Sequence, residues 1–512
     1  MHRADSHTTS ESRPVRAVIR VRSGRATARR ALTTAFPRWP LLTALTLGAL
    51  AAGCSNDDHP VAPIGVHVTD FTVGAVPSNV LAAVARFDAR GADSAAVVYW
   101  SDSEPPRATP FSTTLTPDST VVLGLRPSTA YHLRVDAIAG GTVISSDTIT
   151  FGTGALPDFL ANSHLRGSVR ASGGYILTAL SDTASAYVVA FDSTGEVRWY
   201  HGFDEGVPVG EVKQQANGDI TAFLGATHGG DPVPGRYVEL SPGGDVVREI
   251  GAPPGAYVDN HELVLVFNDG QYDGAYLSTY TQRQVDLSSQ GGPSDSLVSG
   301  HQIVRANADG STHTILDAWD TFTLADNVEP IEGEVDFDHP NSIDVASDGN
   351  LVVSWRNFDA ITKIDVNSGA IIWRLGGPHS DFTFVGDPLG GFSAQHSARV
   401  VGDNDILVFD NGTQHSPPES RAVEYTLDPT AKTATMKWEY RHVPPVYTTF
   451  TGSVQRLASG NTLIGWTWPP TLLVTEVTPG GTVAWEGTLE APSLFSPYRF
   501  TAIRSLYGYE QP

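Results

Sequence analysis

The chain has 512 residues, 40% of them hydrophobic and only 17% charged, which excludes a disordered acidic chain and a coiled coil and leaves room for two to four domains. Fifty Gly and 34 Pro favour many short strands and tight turns over long helices. The formal charge of −23 argues against a nucleic-acid partner, and a single Cys excludes a disulfide framework within the chain, a Cys-ligated zinc site and an iron–sulfur cluster.

Residues 1–53 hold nine Arg against Asp5 and Glu11, a net of +7 that puts the rest of the chain near −30. Within them, residues 41–53 read LLTALTLGALAAG, an apolar run too short to span a bilayer permanently and ending in small residues. A long basic stretch, a short apolar run and a small-residue exit predict a secretory signal. The only cysteine, Cys54, follows directly in LAAGC, which resembles a bacterial lipobox with Ala51 where Leu is more common. The expectation is a lipoprotein-type signal over 1–53 and a diacylated Cys54 tying the mature chain to a membrane. Residues 54–62 form a polar tether. The protein would be carried across the inner membrane and held in the cell envelope, at the periplasm or outer membrane.

Over 63–155 short alternating strands such as VLAAVARFD, SAAVVYWSD and TAYHLRVDAI are separated by Gly, Pro, Asp and Ser turns, the pattern of a β-sandwich. Leu125, Pro127, Thr129 and Tyr131 followed by HLRVDA resemble the tyrosine-corner segment of fibronectin type III domains. No chemistry is visible there, so a spacer or docking role is expected.

From 160 to 512 the chain repeats itself. One unit runs apolar strand, Asp/Asn/Pro–Gly turn, strand ending near Trp, as in YVVAFDSTGEVRWY (187–200), ITKIDVNSGAIIWRL (361–375) and LLVTEVTPGGTVAWEG (472–487). It alternates with a second unit around an Asn/Asp–Gly turn, as in NSIDVASDGNLVVSWRN and SVQRLASGNTLIGWT. Each unit reads as a hairpin, and two hairpins make a four-stranded sheet. A period of about 50–64 residues predicts an all-β chain with a six-bladed β-propeller behind the small sandwich. Residues 164–180 are expected to share a blade with the C-terminal strands.

In a propeller the inner strands converge on a central channel. His261, His339 and His396 open three consecutive predicted inner strands (HELVLVF, HPNSIDV, HSARVV), and the two-residue period puts Asn341 on the face of His339. Aligned turns place Arg356, Asn411 and Thr467 at one equivalent position. Three His, one Arg and two Asn near one axis make a candidate anion site. Other signatures are missing from the sequence: no G-x-S-x-G elbow, no second His four residues after His261, no G-K-[ST] among only four Lys, and no complete calcium loop.

DFDHPNSID, SWRNFDAI, QHSARV, VFDNG and SRAVEYTLD, in this order behind an N-terminal β-domain, resemble the bacterial arylsulfate sulfotransferase family over about 160–512. The resemblance implies transfer of a sulfuryl group from a phenolic sulfate ester to an acceptor phenol, without a nucleotide donor, metal or other cofactor. It implies His396 as nucleophile, His339 as the proton-transfer residue, and Arg356 and His261 as ligands of the sulfuryl oxygens. Asn341, Asn411 and Thr467 are expected to bind substrate. His261, in DNHELVL, sits in the least faithful motif.

The chemistry is consistent with those roles. A sulfuryl group needs fixed donors, and Arg offers a planar, permanently charged fork. A neutral imidazole is a good nucleophile near pH 7, and phenols must gain or lose a proton in transit. The partners expected are therefore a small phenolic sulfate and a phenol, with homodimerisation left open. Two other readings stand beside this one: a non-catalytic envelope-binding propeller, and a His-ligated metalloenzyme, which the guanidinium of Arg356 would disfavour by repelling a cation.

Overall fold

Apolar–polar alternation, interrupted every few residues by Gly, Pro or Asp, leaves little sequence that could sustain a helix. In the computed structural model, helix among the described residues is confined to single turns such as Asp158–Ala161 and Ala318–Thr321, and the fold is all-β. The structure describes residues 65–508 apart from 116–117, 204–206, 226–234, 289–290, 330–334, 468–471 and 494–496. The expected signal segment, the tether and Cys54 lie outside the described residues.

Between Thr69 and Gly152 two antiparallel sheets pack face to face. Thr69–Val76, Asn79–Asp88 and Asp118–Val122 form one; Glu104–Ala108, Ser94–Ser101, Ala130–Ala139, Thr142–Ser145 and Ile149–Gly152 form the other. Every second residue of Ala130–Ala139 from Tyr131 onward is buried, and these meet Ala83, Ala85, Phe87 and Val122 from the facing sheet. The Tyr131 hydroxyl accepts a hydrogen bond from the Arg126 backbone N–H, five residues upstream, at 2.9 Å and donates to Glu104.

Glu104 also ties this sandwich to the sheet built on Tyr175–Ser181, Ala186–Asp192 and Val197–Phe203, pairing with Arg198 in a buried contact. Asn79 donates to the Tyr200 carbonyl at 2.9 Å, and the Tyr507 hydroxyl accepts from the Leu123 N–H at 2.8 Å. Ala82 and Leu123 share a core with Leu177, Val188 and Trp199. Removing one member of a buried ion pair strands the other charge, so the loss of either Glu104 or Arg198 would be costly at this junction.

From His164 onward the chain builds six sheets of four or five strands among the described residues. Their innermost strands are Thr501–Ile503, Val209–Gln214, Tyr257–Asn268, Pro340–Val345, His396–Val400 and Ser453–Arg456. Each touches the next and the last touches the first, a closed ring of sheets about a central axis, the propeller arrangement. Closure is made from both ends of the chain. Thr501–Ile503 pairs with Tyr175–Ser181 and supplies the inner edge of the first sheet, while His164–Gly167 adds to the outer strand Val483–Glu490.

The repeat seen in the sequence has a structural counterpart. Gly218, Gly349 and Gly460 close the inner hairpins with left-handed φ of +92°, +81° and +86°, a conformation open to Gly at little cost. Trp355 and Trp466 end the second strands of two sheets, and each indole N–H donates to a Thr on the third strand, Thr362 at 2.8 Å and Thr475 at 3.1 Å. Arg356 and Thr467 are the residues that come next, so an anchored Trp fixes the strand end from which each projects.

Candidate functional site

The inner strands are irregular where the three histidines stand. Pairing to the second strand slips between Val258 and Leu263, between Pro340 and Ser342, and between His396 and Arg399. A bulge re-aims side chains that the regular pleat would point elsewhere. His339, Ala394 and Ser397 take left-handed φ of +51°, +49° and +55°, sparsely populated values for residues with a Cβ that the surrounding bonds must hold. The expectation that all three histidines open their strands is adjusted here. His396 is the first residue of its strand, His339 precedes Pro340–Val345 directly, and His261 lies inside Tyr257–Asn268 at the bulge.

The bulges bring the three rings together. The His261 and His339 centroids are 4.5 Å apart, those of His339 and His396 6.0 Å apart, both edge-to-face. Each ring turns its Nδ1 to a protein acceptor. His261 faces both oxygens of Asp259 at 2.8 and 2.9 Å, and His339 faces Asp336 at 2.5 Å. His396 faces the Ala394 carbonyl at 3.1 Å and Asn411 Oδ1 at 2.8 Å. A backbone carbonyl only accepts, so Nδ1 of His396 carries the proton and Nε2 keeps its lone pair. The Asn411 orientation agrees, because its amide N–H groups donate to the Thr448 and Thr451 carbonyls at 2.7 and 3.0 Å. Burial, with the nearby His339 and Arg356, holds the His396 pKa well below its ordinary value, and burial pushes His339 down to about 4 against the pull of Asp336. Both rings are therefore neutral near pH 7.

Arg356 stands in the turn Arg356–Phe358, its backbone N–H bonded to the His339 carbonyl at 2.9 Å. Its Nη1 donates to Asn357 at 2.7 Å, the guanidinium lies 5.0 Å from the Phe450 ring centre, and Glu329 is 3.8 Å away. The Nε is buried without a protein partner. Asp359 ends this turn in left-handed conformation and accepts from the Ala394 N–H at 2.6 Å, locking the Arg356 turn to the His396 segment.

The residues expected to bind substrate are all fully buried. Asn411 spends both ends of its amide on protein and positions His396. Thr467 bonds the Thr451 hydroxyl at 2.7 Å, one step behind Asn411. Asn341 donates to the Gln395 carbonyl at 2.7 Å, bridging the His339 and His396 segments; its own Oδ1 has no protein partner. All three are thus bonded to the protein around the histidine segments, Asn341 and Asn411 through their amide N–H groups and Thr467 through its hydroxyl.

Several contributors have no signal in the inner-strand pattern. Asp259 and Asp336 orient two of the rings. His301, on the third strand Ser296–Asn307, is buried between Asp338 at 2.5 Å and Asp259 at 3.6 Å, and Asp338 accepts the His339 N–H at 2.9 Å. Burial opposes a charge on His301, yet Asp338, Asp259 and Asp336 together raise its pKa well above the ordinary value. A buried imidazolium thus holds the carboxylates that aim His261 and His339. Tyr498 packs on His261 with centroids 5.3 Å apart and donates to the Asn341 carbonyl at 3.0 Å. Among the described residues, the group with metal-compatible spacing is His301, Asp336 and Asp338, which includes none of the three clustered rings.

No curated protein sequence matches the chain. A solved Bacteroides caccae protein of unknown function is 13% identical, with a TM-score of 0.42 over 65% of this chain and 100% of its own. A catalytically inactive virginiamycin B lyase from Staphylococcus aureus with quinupristin is 11% identical, with a TM-score of 0.30 over 81% of this chain and 100% of its own. The hydrazine synthase of Kuenenia stuttgartiensis is 12% identical, with a TM-score of 0.30 over 74% and 99%. The sequence profile of the arylsulfotransferase (ASST) family matches residues 166–470, a span that holds His261, His339, Arg356, His396, Asn411 and Thr467. With more than half of its length matched, the chain belongs to the arylsulfotransferase (ASST) family.

Proposed function

We propose that the protein transfers a sulfuryl group from a phenolic sulfate ester to an acceptor phenol in two displacements through His396. The observation that carries this reading is the His396 ring, buried and neutral, with Nδ1–H held by two oxygens and the Nε2 lone pair left free. In the first displacement Nε2 forms a bond to sulfur, the sulfur–oxygen bond to the aryl group breaks, and the phenolate leaves with the electron pair. Nδ1–H becomes more positively polarised as the N–S bond forms, and Asn411 and Ala394 O are placed to accept from it. In the second displacement the acceptor phenol oxygen attacks sulfur, the N–S pair returns to Nε2, and His339 takes the phenol proton. The resulting imidazolium faces Asp336 and can protonate the next departing phenolate, so one proton circulates from acceptor to leaving group.

Arg356 would hold the sulfuryl oxygens through a fork that is already oriented, and His261 would line the other side. Phe450, 42% exposed beside Arg356, would offer apolar surface to the aryl ring. We also propose that the lipid on Cys54 holds the enzyme in the cell envelope. Incubation with a chromogenic aryl sulfate tests the chemistry. The donor alone should release about one phenol per site and stall, and an added phenol should restart turnover. Continuous release at the same rate without a phenol would mean hydrolysis rather than transfer.

A further inference from the structure

A second feature of the ring lies further along the same inner strands. A cavity of about 360 Å³ is lined by Lys213, Arg399, Arg456 and Arg499, with Asp344 as the one acidic residue of its wall. Arg399 lies beyond the bulge that follows His396, and the cavity wall includes none of His261, His339, Arg356 and His396.

The charges are arranged in layers. Lys213 and Arg399 each leave 18% of the side chain open and Arg456 leaves 22%, whereas the carboxylates that pair with them, Glu262 and Glu424, leave 1% and 5%. Glu262 is shared by Lys213, Arg399 at 2.7 Å and Arg499 at 3.0 Å, so one carboxylate serves three cations, of which Arg499 has a second partner. The other acid on Arg499, Glu211, is fully buried, and burial pushes it up to about 7, which weakens its share of the balance. Asp344 spends its oxygens on the Val345 and Val400 N–H groups, both at 2.9 Å. The Nε of Arg499 is buried with no protein partner. Glu262 and Glu424 thus lie behind while Lys213, Arg399 and Arg456 face the cavity, in a chain whose total charge is −23. Guanidinium forks spaced around a cavity suit an anion with several oxygens better than a single halide.

We propose that this channel cavity is a binding site for a multivalent oxyanion, separate from the His396 site. The proposal does not rest on sulfuryl transfer. It is tested by calorimetric titration of the full chain at fixed ionic strength, with chloride making up the balance. Sulfate and phosphate probe a compact tetrahedral anion, succinate an extended one. Saturable binding of at least one of them is expected for the parent and for Arg356→Gln, and a loss of tenfold or more in affinity for Arg399→Gln and for Arg456→Gln. Absence of saturable binding by all three anions, or loss in Arg356→Gln alone, overturns the proposal. Should the channel variants fail to fold, selenate diffused into crystals of the parent decides. An anomalous peak between Arg399 and Arg456 supports the site; a peak beside Arg356 alone, or none, contradicts it.

Discussion

At the scale of single residues, function turns on which nitrogen is free and which charge is fixed. A guanidinium with one donor already bound to Asn357 and a buried Nε unpaired is built to accept planar, two-point contact from an oxyanion. Arg356→Lys keeps the charge but loses the fork. Turnover should fall by about 10²–10³, the usual cost of losing one preoriented donor to a reacting oxygen, with the fold unchanged by circular dichroism. Near-parental activity in this variant would remove Arg356 from the transferred group. The His396 pKa has a consequence of definite sign. Burial disfavours the imidazolium, so the ring stays a nucleophile well into acid. With a donor whose phenol is a good leaving group, the burst rate should be flat from pH 8 to 5.5. An ordinary imidazole titrating near 6.5 would lose about tenfold over that range. Both His396 and Arg356 were legible in the sequence, through the QHSARV and SWRN segments. Their partners were not. Asn411 looked like a substrate ligand because its turn aligns with that of Arg356, and only its contacts with Thr448 and Thr451 show that its amide is already spent.

At the scale of elements, the site depends on hairpins that repeat and on strands that break the repeat. The Asn/Asp–Gly turns were readable because a tight hairpin needs left-handed backbone at a fixed place. The bulges beside His261, Asn341 and His396 were not, since an inserted residue leaves no mark on an alternating apolar pattern. His301 escaped for a related reason: it lies on a third strand, whereas the periodic argument looks only at strands facing the axis. Turn glycines are also where an element can be tested. Gly195 has φ of +82°, and a Cβ there would stand 1.9 Å from the Leu165 carbonyl oxygen, on the strand that adds to the last sheet. Gly195→Ala should cost at least about 1–2 kcal/mol from the backbone alone and lower the thermal midpoint by a few degrees. Unchanged stability would mean that the Leu165 strand is not held against this turn.

At the scale of the whole molecule, the ring closes through residues from opposite ends of the propeller sequence. Thr501–Ile503 forms the inner edge of the first sheet, and His164–Gly167 the outer edge of the last. Joint closure was expected from the position of residues 164–180; that the C-terminal strand would be the innermost was not, because three residues carry too little pattern. The N-terminal sandwich sits against the first sheet through Glu104 and Arg198, a charged contact that no alternation of apolar residues announces. Beyond the described residues, the lipobox-like LAAGC makes its own claim. If a lipid on Cys54 is the anchor, Cys54→Ala should move the protein from the membrane to the soluble fraction after cell fractionation. Retention on membranes would mean that something other than a Cys54 lipid holds it. The central claim, that His396 carries the sulfuryl group between donor and acceptor, is met most directly by intact-protein mass spectrometry after exposure to an aryl sulfate without acceptor. The parent should gain one sulfuryl mass that disappears on adding a phenol, and His396→Ala should gain none; the same adduct in His396→Ala would contradict the account and move the nucleophile to His339 or His261.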